Sequence, residues 1–297
     1  MITLAAGALE ASFAPAAGMV CHSLRHEGEE LLAQRDSVEG YVRTGRWMGV
    51  PLLHPWANRL ADWEYEALGR RADLRPLAGD VVVRDRKTGL PIHGVLPLPW
   101  EVLTATATRV VAELAPGDEG LAAAFPFPHR IRLEADLSPT GLRIATALEA
   151  LEGEVPVVFG FHPWFTLPGA TRADYAVELP AMRRLALGAS RLPTGEAEEV
   201  PAFTGALPAR ELDDGFDAVA DGAVFAVAGG GRRIELRHEG GYPCAQVFAP
   251  TEKDLICFEP MTARANALLA GGFRVAAPGA PYTAAFTITV DKDQARR

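Results

Sequence analysis

RIRLEADLSPTGLRIATAL, residues 130–148, is the stretch that indicates the fold of this 297-residue chain. Apolar side chains from Ile131 to Leu137 alternate with charged ones, and a period of two is typical of a strand with one buried face. The next four residues, Ser138 to Gly141, favour a tight turn, and the alternation resumes at Leu142. We therefore predict two antiparallel strands joined by a short turn.

The same pattern recurs in other parts of the chain. Residues 224–227 and 234–237 flank a glycine-rich turn, which predicts a second hairpin, and residues 286–290 predict a last strand. Proline (23 residues) and glycine (29 residues) interrupt the sequence throughout, so segments long enough for a helix are scarce. These patterns predict one all-β domain over residues 1–297, built as a large antiparallel β-sandwich.

Two segments are less regular. Residues 37–58 are expected to form loop, with room for a helical turn. Residues 188–211 are rich in proline, glycine, threonine and glutamate, and this composition predicts a long surface loop. We do not expect a domain boundary there, because strand-like segments continue on both sides.

The composition excludes several classes of protein. A net charge of −9 argues against a nucleic-acid or anionic-membrane partner, either of which favours clustered Lys and Arg. No run of about 18 apolar residues predicts a transmembrane helix, and the first residues do not resemble a signal peptide. We therefore expect a cytoplasmic monomer or homodimer.

The chain has three cysteines without CxxC spacing, Cys21, Cys244 and Cys257, and this pattern predicts buried free thiols.

Four short segments place a polar or ionisable group within an apolar frame. They are PLLHPWANRL (residues 51–60), PIHG (91–94), FGFHPWF (159–165) and CFEPMTARAN (257–266). Buried ionisable groups are costly unless they are paired or used in function. These segments therefore supply the candidate site residues.

His162 and Glu259 are the candidates for proton transfer. His162 lies among aromatic residues before a proline that favours extended backbone, and an imidazole can act as acid or base near pH 7. Its alternative role is that of a hydrogen-bonded core histidine. The apolar neighbours of Glu259 raise the pKa of a carboxyl group, which strengthens it as a base. Its alternative role is an ion pair with an arginine such as Arg264.

Other polar groups of the chain are candidates for binding a ligand. Asn58 and Arg59 offer an amide and a guanidinium that match hydroxyl and ring oxygens, although a loop salt bridge is the alternative. His93 precedes Gly94, a residue that permits close backbone approach. Asp213 begins a DDGF stretch that could equally form a solvated turn. No P-loop, GxSxG or HExxH pattern is present, so the sequence gives no sign of a phosphate loop, a serine hydrolase or a metal site.

In this order, the segments resemble the aldose 1-epimerase (galactose mutarotase) family, from about residue 16 to residue 290. The resemblance implies a β-sandwich called a supersandwich, a sugar substrate and no cofactor or metal. It implies that Glu259 is the general base and His162 the general acid. For sugar binding it implies roles for Arg59, His93, Asp213, Asn58 (which shapes the Arg59 loop) and Trp164, which stands where relatives often have tyrosine. His129 stands where many relatives have an apolar or aromatic residue, and we assign it no role.

The implied reaction interconverts the α and β anomers of a free aldose. A base removes the proton of the C1 hydroxyl, an acid protonates the ring oxygen, and the ring opens and recloses; we expect the two groups on opposite sides of the sugar. One alternative is a hexose-6-phosphate epimerase, which would need a phosphate clamp from residues such as Arg43, Arg46 and Arg264. Because no motif residue is left for that clamp once Arg59 binds the ring, we expect a neutral sugar. The other alternative is a non-catalytic carbohydrate-binding protein.

Overall fold

A computed structural model describes residues 1–34, 36–46 and 48–292. The described residues are mainly β-strand. In chain order the strands are β1 Ile2–Ala6, β2 Leu9–Ala14, β3 Val20–His26, β4 Glu29–Glu30, β5 Leu52–Leu53, β6 Glu64–Ala67, β7 Arg70–Asp73, β8 Val82–Arg84, β9 Pro91–Val95, β10 Glu101–Ala105, β11 Arg109–Leu114, β12 His129–Ser138, β13 Gly141–Ala150, β14 Val155–Val157, β15 Gly160–Phe161, β16 Trp164–Phe165, β17 Ala176–Leu179, β18 Met182–Leu187, β19 Pro193–Val200, β20 Phe203–Ala206, β21 Leu212–Asp217, β22 Val224–Gly229, β23 Arg232–Gly240, β24 Cys244–Ala249, β25 Ile256–Met261, β26 Arg274–Ala276 and β27 Tyr282–Lys292. The helices are α1 Val38–Thr44, α2 Glu119–Ala124 and α3 Ala267–Ala270, with 3₁₀ turns at Pro15–Ala17, Arg75–Leu77 and Arg172–Asp174.

Two large antiparallel sheets dominate the architecture. One has nine strands in the order β10-β11-β12-β13-β27-β23-β22-β17-β20. The other follows β19-β18-β21-β24-β25-β15-β5, and β16 also pairs with β25. The strands β1 to β4 form a smaller sheet, and three two-stranded pairs complete the set. This arrangement confirms the prediction of an all-β fold with large antiparallel sheets.

The core lies between the two large sheets. Phe225 of the nine-stranded sheet contacts Phe258 of the other, with ring centroids 5.7 Å apart. Phe286 and Phe161 make a similar contact across the sheets at 5.1 Å. One cluster of buried apolar residues extends from Leu4 to Val290. Removing these aromatic faces from water stabilises the face-to-face packing.

The hairpins predicted from alternation are confirmed. β12 and β13 pair from the register of His129 with Ala150 to that of Ser138 with Gly141, and their buried residues alternate as predicted. β22 and β23 form the second hairpin. The predicted last strand is β27, which lies between β13 and β23 at the centre of the sheet.

The prediction of a loop over residues 188–211 is wrong. β19 and β20 lie in this segment, at one edge of each large sheet. Edge strands pair on one side only, and nearly all residues of these two are exposed or half-buried, so no apolar alternation marks them in the sequence. Pro193, at the start of β19, is compatible with an edge position. The glutamates of β19 suit an edge that must not pair with another chain.

The segment of residues 37–58 contains the expected helical turn. Ser37 caps α1 by accepting a hydrogen bond from the backbone N–H of Gly40 at 3.0 Å. The helix ends at Gly45, which has a left-handed backbone conformation. Cys21, Cys244 and Cys257 are all buried, and Cys21 and Cys244 are free thiols, as predicted. None of the helices in the described ranges combines the length and the apolar character needed to span a membrane.

A buried pair of histidines joins the β5 segment to β12. Nε2 of His54 lies 2.9 Å from Nε2 of His129. Nδ1 of His129 lies 2.6 Å from the carbonyl oxygen of Phe127, which can only accept, so that nitrogen carries the proton. The His54 nitrogen must then donate to His129, and both rings are neutral. Burial lowers the pKa of both imidazoles.

We expect the free energy of unfolding to decrease as the pH falls below about 6.5, the ordinary histidine pKa. Burial lowers the pKa of His54, His129 and His93 in the folded state, and lowers that of His238 to about 4. Below pH 6.5 the unfolded chain therefore binds protons that the folded chain does not bind, and each such proton lowers stability by roughly 1.4 kcal/mol per pH unit. The raised pKa of Glu259 makes the folded state more stable as the pH falls, which opposes the effect of the histidines. It is a single group, however, whereas four histidines are named above.

Urea denaturation at pH 7.5, 6.5, 5.5 and 4.5 measures this dependence. The expected result is a plateau above pH 6.5 and a falling denaturation midpoint below it. A midpoint that stays constant from pH 7.5 to 4.5 would show that these imidazoles are not held neutral by burial. His238→Gln should reduce the slope, because it removes one of the four groups.

Candidate active site

One face of the β21-β24-β25 sheet carries three polar side chains. In the strand register Gln246 of β24 lies opposite Glu259 of β25, and Asp213 of β21 lies opposite Phe248. Successive side chains of a strand point to opposite faces, so the pleat brings these groups to the same side. Since Asp213 lies within a strand, the alternative of a solvated turn is wrong.

The imidazole of His162 lies directly beside the carboxyl group of Glu259. The chain between β15 and β16 is fixed by backbone hydrogen bonds from His162 N–H to the Pro51 oxygen (3.1 Å) and from Trp164 N–H to the Gly49 oxygen (2.9 Å). Nε2 of His162 is then 3.2 Å from Oε1 of Glu259, and both side chains are less than a tenth exposed. The predicted acid and base are therefore adjacent in the free protein, which differs from the expected placement on opposite sides.

Trp164 orients the imidazole of His162. The two rings are stacked, with centroids 4.4 Å apart and planes inclined by 3°. Phe248 closes the other side with edge-to-face contacts to both rings. Trp164 lies in the cavity wall but gives one ring face to His162, so its stacking on a sugar remains a prediction.

Asn58 and His93 hold each other through two reciprocal hydrogen bonds. The N–H of Asn58 donates to Nδ1 of His93 at 3.2 Å, and the N–H of His93 donates to the Asn58 carbonyl at 2.9 Å. Both residues have left-handed backbone conformations, with φ of 58° and 60°. Because Nδ1 of His93 accepts, the neutral ring carries its proton on Nε2. Burial, together with the nearby His162 and Arg59, lowers the pKa of His93 well below its usual value and keeps it neutral.

Arg59 is held by two neighbours. The side-chain oxygen of Asn58 accepts from the Arg59 backbone N–H at 2.8 Å, which supports the predicted role of Asn58 in shaping this loop. Nε of Arg59 donates to Oδ2 of Asp85 at 2.7 Å, and both side chains are about one-tenth exposed. Arg59 thus forms the salt bridge considered as an alternative and also lies in the cavity wall.

Gln246 connects the predicted sugar-binding groups. Its Nε2 donates to Asp213 at 2.7 Å, and its Oε1 accepts from Asn58 at 3.4 Å. Asp213 also pairs with Arg191. Neither Gln246 nor Asp85 was predicted to belong to the site. For Gln246 the available signal was a lone amide within an otherwise apolar strand, CAQVFA.

These groups surround a single cavity of about 690 Å³. All the candidates from the sequence lie in its wall: Asn58, Arg59, His93, His162, Trp164, Asp213 and Glu259. The volume is within the range of about 300–1,000 Å³ that is usual for small-molecule sites.

The surroundings of the Glu259 carboxyl group disfavour its charged form. Burial raises its pKa well above the ordinary value, and the charge of Asp213 raises it further, while Arg59 partly offsets both. Its Oε2 accepts no hydrogen bond from any described residue. The alternative ion pair with Arg264 is absent, because Arg264 pairs with Asp217 instead.

The three arginines considered as phosphate ligands differ in their position relative to the cavity. Arg46 lies in the wall of the cavity. Arg264 is occupied by Asp217, and neither it nor Arg43 is among the described residues that line the cavity. No group of three or more His, Cys, Asp or Glu residues in the described part of the chain is arranged to hold a metal ion. The expected absence of a metal and of a cofactor stays a prediction.

Gly94 is required beside His93 for two reasons, and we expect Gly94→Ala to destabilise the protein by about 3 kcal/mol or more. Gly94 has φ of 79°, and a left-handed conformation costs a side-chain-bearing residue roughly 1–2 kcal/mol. An added Cβ would also lie 2.0 Å from the backbone oxygen of His54, which cannot move freely. Gly69 is the matched control, with φ of 73° and nothing within 4 Å of the added atom.

Urea denaturation of the two variants separates these effects. Gly69→Ala should show only the conformational cost, and Gly94→Ala a distinctly larger loss together with reduced activity, because His93 is displaced. Equal losses in the two variants would show that the close approach to His54 does not constrain this backbone.

Comparison with solved structures identifies the class of fold. The chain is similar to a galactose mutarotase-like protein from Clostridium acetobutylicum (20% identity, 98% of this chain and 94% of that chain covered, TM-score 0.81). It is also similar to a GalM/aldose epimerase homologue from C. elegans (15%, 98% and 98%, TM-score 0.77) and to galactose 1-epimerase from Lactobacillus acidophilus (14%, 98% and 93%, TM-score 0.73). The fold is therefore that of the galactose mutarotase-like β-sandwiches.

Residues 1–289 match the model of the aldose 1-epimerase family, and the chain belongs to that family. The comparison with curated proteins gave no match.

Proposed function

We propose that this protein is an aldose 1-epimerase, which interconverts the α and β anomers of an aldose by acid–base ring opening and closure. The observation that carries the proposal is the buried pair of His162 and Glu259 in the wall of the cavity, with Nε2 and Oε1 3.2 Å apart. Family membership supports an isomerase of this kind.

Glu259 acts as the base. Its ionised carboxylate accepts the proton of the C1 hydroxyl, and the raised pKa makes it a stronger acceptor than an exposed glutamate. His162 donates the proton on Nε2 to the ring oxygen, so the C1–O bond of the ring breaks and a carbonyl forms at C1. Rotation about C1–C2 presents the other carbonyl face, and the reverse transfers close the ring.

The adjacency of the two groups fits this reaction. The C1 hydroxyl oxygen and the ring oxygen are bonded to the same carbon, so an acid and a base that serve them must reach neighbouring points. In the free protein Nε2 of His162 lies within hydrogen-bond distance of the Glu259 carboxyl group. A bound sugar then replaces this contact with two, one to each reacting oxygen, and separates the pair.

The other wall residues position the sugar. Neutral His93 can donate from Nε2, and the guanidinium of Arg59 can donate to ring or hydroxyl oxygens. Asp213 is held by Gln246 and Arg191 and can accept from sugar hydroxyls. Networks of this kind fix the orientation of a ligand because each partner is already restrained.

A purely carbohydrate-binding role is less well supported. Binding sugar hydroxyls does not require a glutamate that is 2% exposed and has one oxygen without a hydrogen-bond partner among the described residues. Burying such a group is costly and is typical of a catalytic acid or base.

The experiment is a measurement of anomer exchange. Two-dimensional exchange NMR at equilibrium, with and without protein, gives the rate between the α and β signals for a panel of aldoses. Acceleration proportional to protein concentration for at least one sugar is expected. If no sugar in the panel, neutral or anionic, exchanges faster than its spontaneous rate, the proposed function is wrong.

A further inference from the structure

The mouth of the cavity is lined by basic side chains, although the chain has a net charge of −9. Exposed Arg46, Arg84, Arg86, Lys87 and Lys253 line the same cavity as the acid–base pair. We call these five residues the basic rim. They lie outside the motif segments, which is why the sequence patterns favoured a neutral sugar.

The carboxylates of the cavity wall do not neutralise the basic rim. The acids in the wall are Asp85, Asp213 and Glu259. Asp85 is paired with Arg59, Asp213 with Arg191, and Glu259 with His162, and none of these partners belongs to the rim.

Among the residues that the structure describes, no carboxylate lies within ion-pair distance of Arg46, Arg84 or Arg86. Lys87 has only a distant contact, 3.9 Å from exposed Glu211. The mouth of the cavity therefore carries unneutralised positive charge.

An ordered turn presents much of this charge. The Asp85 carboxylate accepts from the backbone N–H of Lys87 at 3.0 Å and from the Thr88 hydroxyl at 2.7 Å. The turn closes through the N–H of Gly89, which donates to the Asp85 carbonyl at 2.8 Å. The same carboxylate binds Arg59 in the wall of the cavity. The Asp85 side chain thus links the turn that carries Arg86 and Lys87 to Arg59 in the cavity wall.

We propose that the natural substrate is an aldose with an anionic group, as in a sugar phosphate, at the end of the ring remote from C1. This inference rests on the proposed function, because it places C1 against buried His162 and Glu259. The opposite end of the ring then faces the exposed rim, where guanidinium and ammonium groups can bind a phosphate or a carboxylate. It replaces the neutral sugar expected from the motifs alone.

The test compares kcat/KM by exchange NMR for glucose, glucose 6-phosphate and glucuronate, each corrected for its spontaneous rate. The phosphate ester is expected to exceed glucose by about tenfold or more. Raising the salt concentration should reduce this preference, because exposed charges are screened over about 10 Å at 0.1 M. The result for glucuronate distinguishes a rim that also accepts a carboxylate from one that requires the dianionic phosphate.

Variants then assign the effect to the rim. The double variant Arg84→Gln/Arg86→Gln should lower the ratio of kcat/KM for the phosphate to kcat/KM for glucose by about tenfold. Arg43→Gln is the matched control, since Arg43 is exposed, lies on the same helix segment that leads to Arg46, and does not line the cavity.

The outcomes separate the two proposals. Exchange of glucose at a rate equal to or above that of both anionic sugars would overturn the anionic substrate and leave the epimerase activity intact. A preference for the phosphate that survives in the double variant would overturn the role of the rim. Acceleration of none of the three would overturn the proposed function itself.

Discussion

Replacing Glu259 by glutamine is expected to lower the catalysed rate of anomer exchange by about 10²–10⁴-fold. Glutamine has nearly the same shape and can still hydrogen-bond to His162, but it cannot take the proton of the C1 hydroxyl. Its fold should be retained. Burial raises the pKa of Glu259 because the charged form is destabilised inside the protein. The neutral amide should therefore keep or increase the free energy of unfolding at neutral pH.

The measurement pairs exchange NMR with urea denaturation. Glu113→Gln is the matched control, because Glu113 is a largely buried carboxylate that pairs with Arg130 and Arg132 and is not in the cavity wall. That variant should lose stability and keep kcat/KM. A folded Glu259→Gln protein with nearly unchanged exchange rate would show that another group is the base.

The pH dependence gives a second readout for the same group. For the unmodified protein, kcat/KM should decrease as the pH falls through a pKa above the ordinary value of 4.5 for glutamate, since only the ionised carboxylate can act as base. This decrease of kcat/KM at low pH should be absent from the residual activity of the glutamine variant.

Replacing His162 by glutamine is expected to have an effect of similar size, again about 10²–10⁴-fold. Glutamine can donate a hydrogen bond to the ring oxygen but cannot transfer a proton to it. The change should lower kcat more than it raises KM, because proton transfer develops in the transition state. Trp164 loses its stacking partner, so a moderate loss of stability is also expected.

A control histidine separates chemistry from packing. His238 is buried, and its Nδ1 lies at hydrogen-bond distance, 2.9 Å, from the carbonyl oxygen of Tyr242. It does not line the cavity. His238→Gln should change stability and leave kcat/KM unchanged. If the two histidine variants show the same small decrease in rate, His162 is a packing residue and the acid must be sought elsewhere.

The parts of the fold that the sequence predicted are those where one strand face is buried. β12 and β13 alternate because their apolar residues pack between the sheets, whereas β19 and β20 are exposed on both faces and carry no such pattern. The local composition of β19 and β20 therefore resembles that of a loop, and only pairing with a neighbouring strand determines their structure.

The residues of the candidate site also divide into those that the sequence pattern reveals and those that only the fold brings together. The motif segments supplied His162, Glu259 and the residues around them, because an ionisable group in an apolar segment is visible in the sequence. Gln246 and Asp85 gained their roles only through contacts with Asn58 and Arg59. The basic rim is composed of exposed residues that have no individual signature, and only the folded chain gathers them at one opening.

The central position of β27 determines when the molecule can assemble during synthesis. β27 joins β13 to β23, so the two halves of the nine-stranded sheet cannot connect until this strand, which follows all the others in sequence, is available. The site also depends on distant partners, since Asn58 and Gln246 are 188 positions apart. Closing such long loops costs entropy before the new contacts compensate for it. Before β27 is in place, β13 and β23 therefore each keep an unpaired edge, and the two halves of the sheet become one unit only when this strand inserts between them.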